Sequence, residues 1–335
     1  MKIDTSHRFK RVNIEIINTC NLKCSFCPTP ERAKAKMTPG QFYGLAAKLA
    51  GMTEEVVLHL LGEPLSHPEL AGILSAAADA MLPVNIVTNG LLLTGERVEL
   101  LLRPIVRQVS VSLQSFANNF PEQDPLAYVR RIKHFVDRAM TERPDLYLNL
   151  RFWDLVESQK NSTNHNQEYF SSTLSHAEDN DLAQADSLSK LRDAIATEFS
   201  FDWASVLVDL RRRKSHRLTG RLYLHFDSRF VWPDLKNEVL QTKGFCHGLT
   251  GHFGIHVDGT VVPCCLDHNA DIPLGNAFET PIEDILNAPR ATKIREGFAR
   301  GELVEDLCKR CGYINRFKSK AVVSNPSSQS ESTAT

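Results

Sequence analysis

Three of the chain's eight cysteines, Cys20, Cys24 and Cys27, fall together in "CNLKCSFC", with CxxxCxxC spacing and no fourth cysteine nearby. A structural zinc site takes four protein ligands, and a catalytic one takes three and a water. Disulfides use thiols in pairs. Three soft thiolates favour an iron–sulfur cluster, zinc or Cu(I). A cube of four irons held by three cysteines leaves one iron open to another ligand. Eight cysteines scattered at random would give this spacing with an expectation of only ~0.005. Lys23 and Ser25 lie between the cysteines, which argues against a buried apolar stripe.

The other five cysteines fall between positions 246 and 311. Cys246 is followed by Gly259 and then by the adjacent pair Cys264 and Cys265; "VEDLCKRCGY" supplies Cys308 and Cys311. The alternating "HFGIHVDGTVVP" predicts a β-hairpin turning at Asp258 and Gly259, and "TPIEDILNAPRATKIREGFARG" a helix after it. A hairpin with two ligands and a CxxC loop with two more would close a four-thiolate site, which on chemistry alone suits structural zinc equally well. His247, His252, His256 and His268 lie close by in sequence and are expected to be solvated or to sit behind the ligands.

The elements that must carry these residues show a strand–helix alternation. Strands are predicted at "RVNIEII" (Arg11–Ile17), "EVVLHLL" (Glu55–Leu61), "VNIVT" (Val84–Thr88), "QVSVSL" (Gln108–Leu113), "LYLNLRFW" (Leu146–Trp153) and "RLYLHF" (Arg221–Phe226). Amphipathic helices separate most of them. In "TPGQFYGLAAKLAG", Phe42, Leu45, Ala46 and Leu49 share a face, Thr38 is the expected cap and Pro39 fits the first turn. Such alternation implies a parallel sheet, either open or an incomplete barrel. The first cysteines then lie on the loop at the C-terminal edge of the first strand, where active sites of such folds collect. Residues 157–190 turn polar and are expected to form an irregular insertion, a surface loop before a cover for the barrel mouth. The tail from Ser324 is expected to be disordered.

The chain has 335 residues, 42% hydrophobic and 24% charged, with a formal net charge of −1. That balance recruits neither nucleic acid nor membrane, and the basic run Arg211–Arg217 is expected to be a solvated helix end. No apolar run reaches membrane-spanning length, and "MKIDTSHRFKRV" is not a signal peptide. A cytoplasmic protein with reduced thiols is expected.

"CNLKCSFC" resembles the CxxxCxΦC signature of the radical S-adenosylmethionine (SAM) superfamily, with Phe26 at the aromatic position. The resemblance implies a 4Fe–4S cluster on Cys20, Cys24 and Cys27 whose open iron takes the amino and carboxylate groups of SAM, with Phe26 against the adenine. Reduction then yields methionine and a 5′-deoxyadenosyl radical that abstracts a substrate hydrogen, and the protein positions and shields this chemistry. "LLGEP" is similar to the family's GGEP, so Gly62, Glu63 and Pro64 are expected at the SAM amino group, Glu63 as a carboxylate facing an ammonium; Leu61 replaces the first glycine. "TNG" (Thr88–Gly90) and "VSVSLQS" also resemble the family, which adds Asn89 and Ser112. Arg151 is a further candidate for the SAM carboxylate or ribose. The family's fold is an incomplete (β/α)6 barrel.

Cys-x12-Gly-x4-Cys, from Cys246 to Cys264, is similar to the opening of the SPASM extension. With only Cys308 and Cys311 after it, the chain resembles the shortened, single-cluster form called twitch. The resemblance implies one auxiliary 4Fe–4S cluster on Cys246, Cys264, Cys308 and Cys311, with Cys264 and Cys265 interchangeable candidates. It divides the chain into a barrel over 1–235, an auxiliary β-hairpin-plus-helix domain over 236–320 and a tail over 321–335. Four protein thiolates close that cluster, leaving it to accept an electron, and the expected reaction is oxidation or crosslinking at a C–H bond. Asp154, Glu157 and Asp227 are the candidate proton acceptors. The expected substrate is a peptide or protein undergoing maturation, with a sugar-like small molecule as the alternative, and a reductant such as flavodoxin or ferredoxin is implied. A first strand at Arg11 is expected to leave no room for an N-terminal peptide-recognition domain. An iron–sulfur electron carrier and a zinc-binding interaction protein are the competing classes.

Overall fold

The computed structural model describes Ile3 and residues 7–155, 179–210, 214–228 and 230–317. In chain order the elements begin β1 (Arg11–Ile14), α1 (Pro39–Leu49), β2 (Val56–Val57), α2 (Leu70–Asp79), β3 (Val84–Thr88), α3 (Glu96–Leu101), β4 (Val106–Ser112), α4 (Gln114–Asn119), α5 (Leu126–Glu142) and β5 (Tyr147–Leu155). They continue with α6 (Asp179–Glu198), α7 (Trp203–Leu210), β6 (Ser215–Thr219), β7 (Leu222–Ser228), β8 (His252–Ile255), β9 (Thr260–Val262), β10 (Gly275–Asn276), α8 (Ile282–Asn287), α9 (Pro289–Ala299) and α10 (Asp306–Lys309).

The strands form one sheet in the order β10-β9-β8-β1-β2-β3-β4-β5-β7-β6. Strands β1 to β5 and β7 pair in parallel, as the strand–helix alternation requires. These six strands with their helices are the incomplete barrel. Strand β6 adds an antiparallel edge to β7. At the other side β8 pairs in parallel with β1, so the C-terminal hairpin continues the barrel sheet. Its turn falls where sequence placed it: His256 N–H donates to the Thr260 carbonyl, and Gly259 adopts φ +88°. A side chain there would begin 2.4 Å from Asn276 Oδ1.

Local chemistry explains α1. Thr38 caps it, Gln41 completes the capping box, Pro39 opens the first turn and Phe42, Leu45, Ala46 and Leu49 are buried. The single helix expected over 280–301 is two: Pro289 cannot supply the N–H to continue, so α8 stops at Asn287 and α9 restarts. The expected insertion is also partly regular. Helix α6 occupies its later portion, with Ser187 buried, and farther along the same helix Leu191 and Ile195 join the core. Residues 156–178, the first half of the basic run (211–213) and the tail beyond 317 lie outside the described residues. The second half of that run belongs to strand β6 and its approach rather than to a helix end. No described helix is long and apolar enough to cross a membrane.

Strand alternation sorts the sheet's two faces. Leu148, Leu150, Phe152, Leu222, Leu224 and Phe226 are buried, and Phe152 and Phe226 both pack on Trp203 of α7. That face meets the helices. The alternate residues, Asn149, Arg151, Trp153, Tyr223, His225 and Asp227, therefore line the interior. With Asn13, Asn85, Ser110 and Ser112 on the neighbouring strands, the lumen is polar, unlike the apolar filling of a closed (β/α)8 barrel.

Candidate active site

Beyond β1 the chain crosses the C-terminal edge of the sheet as the loop that bears Cys20, Cys24 and Cys27, all free thiols. Helix α4 grips this loop from the side. Asn119 Oδ1 accepts from Lys23 N at 3.0 Å, and Asn118 Oδ1 accepts from Ser25 N at 2.8 Å. The Asn119 amide also donates to Cys24 Sγ at 3.0 Å. Cys24 is held below the usual thiol range by a hydrogen bond from Cys27, and its bonds with Asn119 and Ser115 act the same way against desolvation. Burial raises Cys20, while Leu22 N donates to its sulfur at 3.4 Å.

The second strand delivers the groups opposite this loop. Gly62 has φ +78°, and a Cβ there would lie 2.2 Å from the Ile17 carbonyl oxygen. Glycine is thus required for the chain to pass beneath the cysteine loop, to which Glu63 N donates at the Thr19 carbonyl, 3.0 Å. Leu61 has no positive φ, so the missing first glycine of the motif costs nothing here. Glu63 is 2% exposed and caps the short 3-10 turn Pro64–Ser66. Its Oε1 accepts from Leu65 N at 3.0 Å and its Oε2 from Asn89 N at 2.8 Å. Burial pushes this carboxyl up to about 7, against the hydrogen bonds that lower it. It makes no ion pair among the described residues, so a cation is the partner its environment lacks.

Asn89 ties the pieces together. Besides its bond to Glu63, its amide donates to Asn21 Oδ1 at 2.8 Å and reaches Cys20 Sγ at 3.8 Å, and its carbonyl accepts from the Tyr128 hydroxyl. Gly90 (φ +80°) lets the strand turn beside Val111 and Tyr128. Ser112 and Arg151 are register partners on β4 and β5, hence on the same lumen face. The Phe26 ring meets Trp153 at 5.1 Å; Trp153 meets Phe230, and Phe230 meets Tyr313. These rings form a wall from the first cysteine loop to the second.

The second set is buried. Cys264 is raised by burial and also by charge at Cys265, Cys246, Cys311 and Cys308; burial is the largest influence on the other four as well. The other four thiols therefore lie within electrostatic reach of Cys264. Cys265 differs in its surroundings, because the cations Arg11 and Arg151 act on it from the lumen side. Neutral buried thiols become ligands only when a metal displaces their protons. Among the described residues no three His, Cys, Asp or Glu side chains converge on a single point that would hold one metal ion. A cluster, which takes each thiolate on a different iron, does not need that convergence.

Some expectations change. His256 and His268 are not solvated: they are 0% and 2% exposed. Glu15, at the end of β1, receives Arg32 Nη2 at 2.7 Å on one oxygen and faces His256 Nδ1 at 3.3 Å with the other. His256 Nε2 meets the Asp267 carbonyl at 2.8 Å, and Arg32 Nε donates to the His268 carbonyl at 2.9 Å. This buried network joins the first cysteine loop, through Arg32, to the hairpin that carries the second set; nothing in the local sequence marks it. Asp227 is no free proton acceptor. Lys214 and Arg316 pair with it at 2.8 and 2.7 Å, and despite burial these partners hold it below the usual carboxylate range. The side chain of Asp154, and Glu157 altogether, lie outside the described residues. Sequence also gave no hint of His59 and His225, which face the lumen beside Arg151.

The profile described as the radical SAM superfamily matches residues 14–142, and that described as SPASM, an iron–sulfur cluster-binding domain, matches 246–312. PqqA peptide cyclase of Streptomyces rochei is 35% identical over 105 residues, 30% of this chain and 29% of that one. AdoMet-dependent heme synthase of Methanosarcina barkeri is 32% identical over 102 residues, 30% of this chain and 29% of that one. The matched stretch thus spans less than a third of the length of these relatives. Streptococcus suis SuiB, solved with precursor peptide SuiA, superposes with a TM-score of 0.56 at 16% identity over 93% of this chain and 73% of that one. BtrN, solved with AdoMet and 2-DOIA, gives 0.55 at 18% identity over 93% and 94%. At those identities the likeness is one of fold.

Proposed function

We propose that this chain, which matches the radical SAM superfamily over residues 14–142 and the SPASM iron–sulfur domain over 246–312, is a radical SAM enzyme that uses SAM and 4Fe–4S clusters to oxidise or crosslink a C–H position in a peptide or protein. Cys20, Cys24 and Cys27 would hold a cluster that, when bound with SAM and reduced by one electron, would supply radical chemistry at a substrate C–H bond, with methionine as the other product. The residues present fit that pair: three thiols on one clamped loop, and beside them a buried carboxylate that makes no ion pair among the described residues.

Cys20, Cys24 and Cys27 would hold the first cluster. The Asn89 and Asn119 amides, aimed at two of the sulfurs, would stabilise the thiolates. Glu63 would orient the SAM ammonium, its two oxygens fixed by Leu65 N and Asn89 N. Gly62 and Pro64 shape that turn, and Phe26, Ser112 and Arg151 line the way to the adenine, ribose and carboxylate. Cys246, Cys264, Cys308 and Cys311 would hold the auxiliary cluster, with Cys265, on which the Arg11 and Arg151 charges act, as the spare thiol. We place the boundary between barrel and auxiliary domain near residue 235. Thiols that must stay reduced favour a cytoplasmic setting, and reduction of the first cluster would call for a low-potential donor such as flavodoxin or ferredoxin.

The observation that carries this reading is the buried Glu63, without an ion pair among the described residues and locked through Asn89 to the cysteine loop. Peptide maturation is favoured over a small-molecule substrate by the similarity to peptide cyclases. The test is deuterium transfer into 5′-deoxyadenosine from labelled candidate peptides and metabolites incubated with reduced enzyme and SAM. Transfer from a peptide supports the reading, and transfer only from a small molecule overturns its substrate half.

A further inference from the structure

Part of the chain between β7 and β8, residues 231–241, is bound along its length to the loop that carries Cys308 and Cys311. Gly312 N donates to the Val231 carbonyl at 3.2 Å, and Leu240 N and Gln241 N share the Lys309 carbonyl at 2.9 and 3.1 Å. Between these points Arg310 Nε donates to the Asn237 carbonyl at 2.7 Å, and the Asn237 amide donates to the Trp232 carbonyl at 2.9 Å. A methyl on Gly312 would begin 3.0 Å from Val231 N, so the two chains meet without room for a side chain. The segment is a strap across the CxxC loop.

Two side chains of this strap carry buried donors that lack an acceptor. Trp232 Nε1 and Gln241 Nε2 are enclosed, and neither has a hydrogen-bond partner among the described residues, cysteine sulfurs included. Both stand at the second set of thiols. Gln241 is seated on Lys309, the neighbour of Cys308. Trp232 adjoins the Val231 contact to Gly312, the neighbour of Cys311, and its ring meets that of His268 at 6.1 Å. His268 follows Cys265 by three residues, is 2% exposed, and also leaves a ring nitrogen, Nδ1, buried and unpartnered. Buried polar groups are seldom left in this state. The backbone already donates to a sulfur of this set, Gly248 N to Cys246 Sγ at 3.4 Å.

We infer that Trp232 and Gln241 donate N–H bonds to the sulfurs of the auxiliary cluster and thereby favour its acceptance of an electron. Thiolates and sulfides on iron are anionic acceptors, and hydrogen bonds to them are a lever on cluster potential. Reduction adds negative charge, so a fixed N–H stabilises the reduced form more than the oxidised one and raises the potential. Both residues are positioning residues, acting on the substrate only through the cluster. The inference rests on reading the second cysteine set as a cluster site.

The experiment uses the full chain with Cys20, Cys24 and Cys27 replaced by Ala and reconstituted anaerobically, so that only the second set can hold a cluster. With 15N-indole-labelled tryptophan, pulsed EPR of the reduced cluster should show a 15N coupling. Trp232→Phe, which keeps an aromatic ring and removes the N–H, should abolish it. If that variant does not load iron, survival of the coupling in Trp153→Phe and Trp203→Phe assigns it to Trp232. In EPR-monitored redox titration, Trp232→Phe and Gln241→Met should each lower the equilibrium constant for accepting one electron about tenfold, a shift of about 59 mV. The double variant should fall further. Leu235→Ala, at an exposed side chain of the same strap, should keep the wild-type potential, which separates loss of a donor from disturbance of the strap. A reduced cluster without indole coupling, or wild-type potentials in both single variants, would mean that these donors serve something else, such as trapped water, and would overturn the inference. If metal analysis finds zinc or no metal at the second set, the inference falls together with the auxiliary-cluster reading, an outcome distinct from an iron-loaded cluster that ignores both donors.

Discussion

Replacing Glu63 with Gln removes a charge while keeping shape, and the structure sets the size of the effect. The wild-type carboxyl titrates at about 7 because it is buried without a cation. It is therefore about one-tenth ionised at pH 6 and about nine-tenths at pH 8, and a ligand that needs the ionised form should bind about tenfold tighter at pH 8. Losing a charge-assisted hydrogen bond costs about 1.5–3 kcal/mol, or about 10- to 150-fold in Kd. Calorimetric titration of SAM into the anaerobic enzyme should thus show a tenfold pH effect in wild type and a weak, flat response in Glu63→Gln. Stability gives an independent readout. The folded pKa lies above the unfolded one, so this group's contribution is full below about pH 4.5 and is lost as pH rises through 7. Between those limits, ligand-free wild type should lose roughly 3 kcal/mol relative to Glu63→Gln in urea unfolding. A SAM affinity in wild type that is flat from pH 6 to 8, with Glu63→Gln binding within twofold, would refute the assignment.

Gly62→Ala places a methyl 2.2 Å from the Ile17 carbonyl at φ +78°; it should displace the cysteine loop and lower bound iron from about eight to about four per chain by iron analysis. Cys264→Ser should likewise leave about four irons, whereas Cys265→Ser should keep about eight; the reverse pattern would exchange their roles. Glu15→Gln strands Arg32 and His256, both buried or nearly so, and should cost about 3–5 kcal/mol in denaturant unfolding at neutral pH. Although burial raises the Glu15 pKa, His256 and Arg32 hold it below the usual range. Its contribution is therefore present above about pH 4.5 and lost as pH falls through the depressed value, so the penalty should shrink in acid.

The cysteine spacing, GEP and TNG were legible because each is a local pattern whose job is done within a few residues of backbone. The six parallel strands were legible for the same reason. What escaped depends on residues far apart in sequence. His225 becomes a neighbour of Arg151 only once β7 pairs with β5, and His59 comes within reach of the same charge only from the far side of the sheet order; Asp227 loses its role as proton acceptor to Lys214 and to Arg316, 89 residues away. His256 reads as one of several polar histidines in a hairpin until β8 pairs with β1 and sets it against Glu15. The break between α8 and α9, by contrast, was written in Pro289.

The most direct test of a SAM-cleaving site at the first cysteine loop is the yield of 5′-deoxyadenosine from SAM after anaerobic reconstitution and chemical reduction. Wild type should produce it, and Cys24→Ala, which removes the thiol bonded to both Cys27 and Asn119, should not. Intact SAM with iron-loaded wild type, or equal yields from the two proteins, would contradict the central claim.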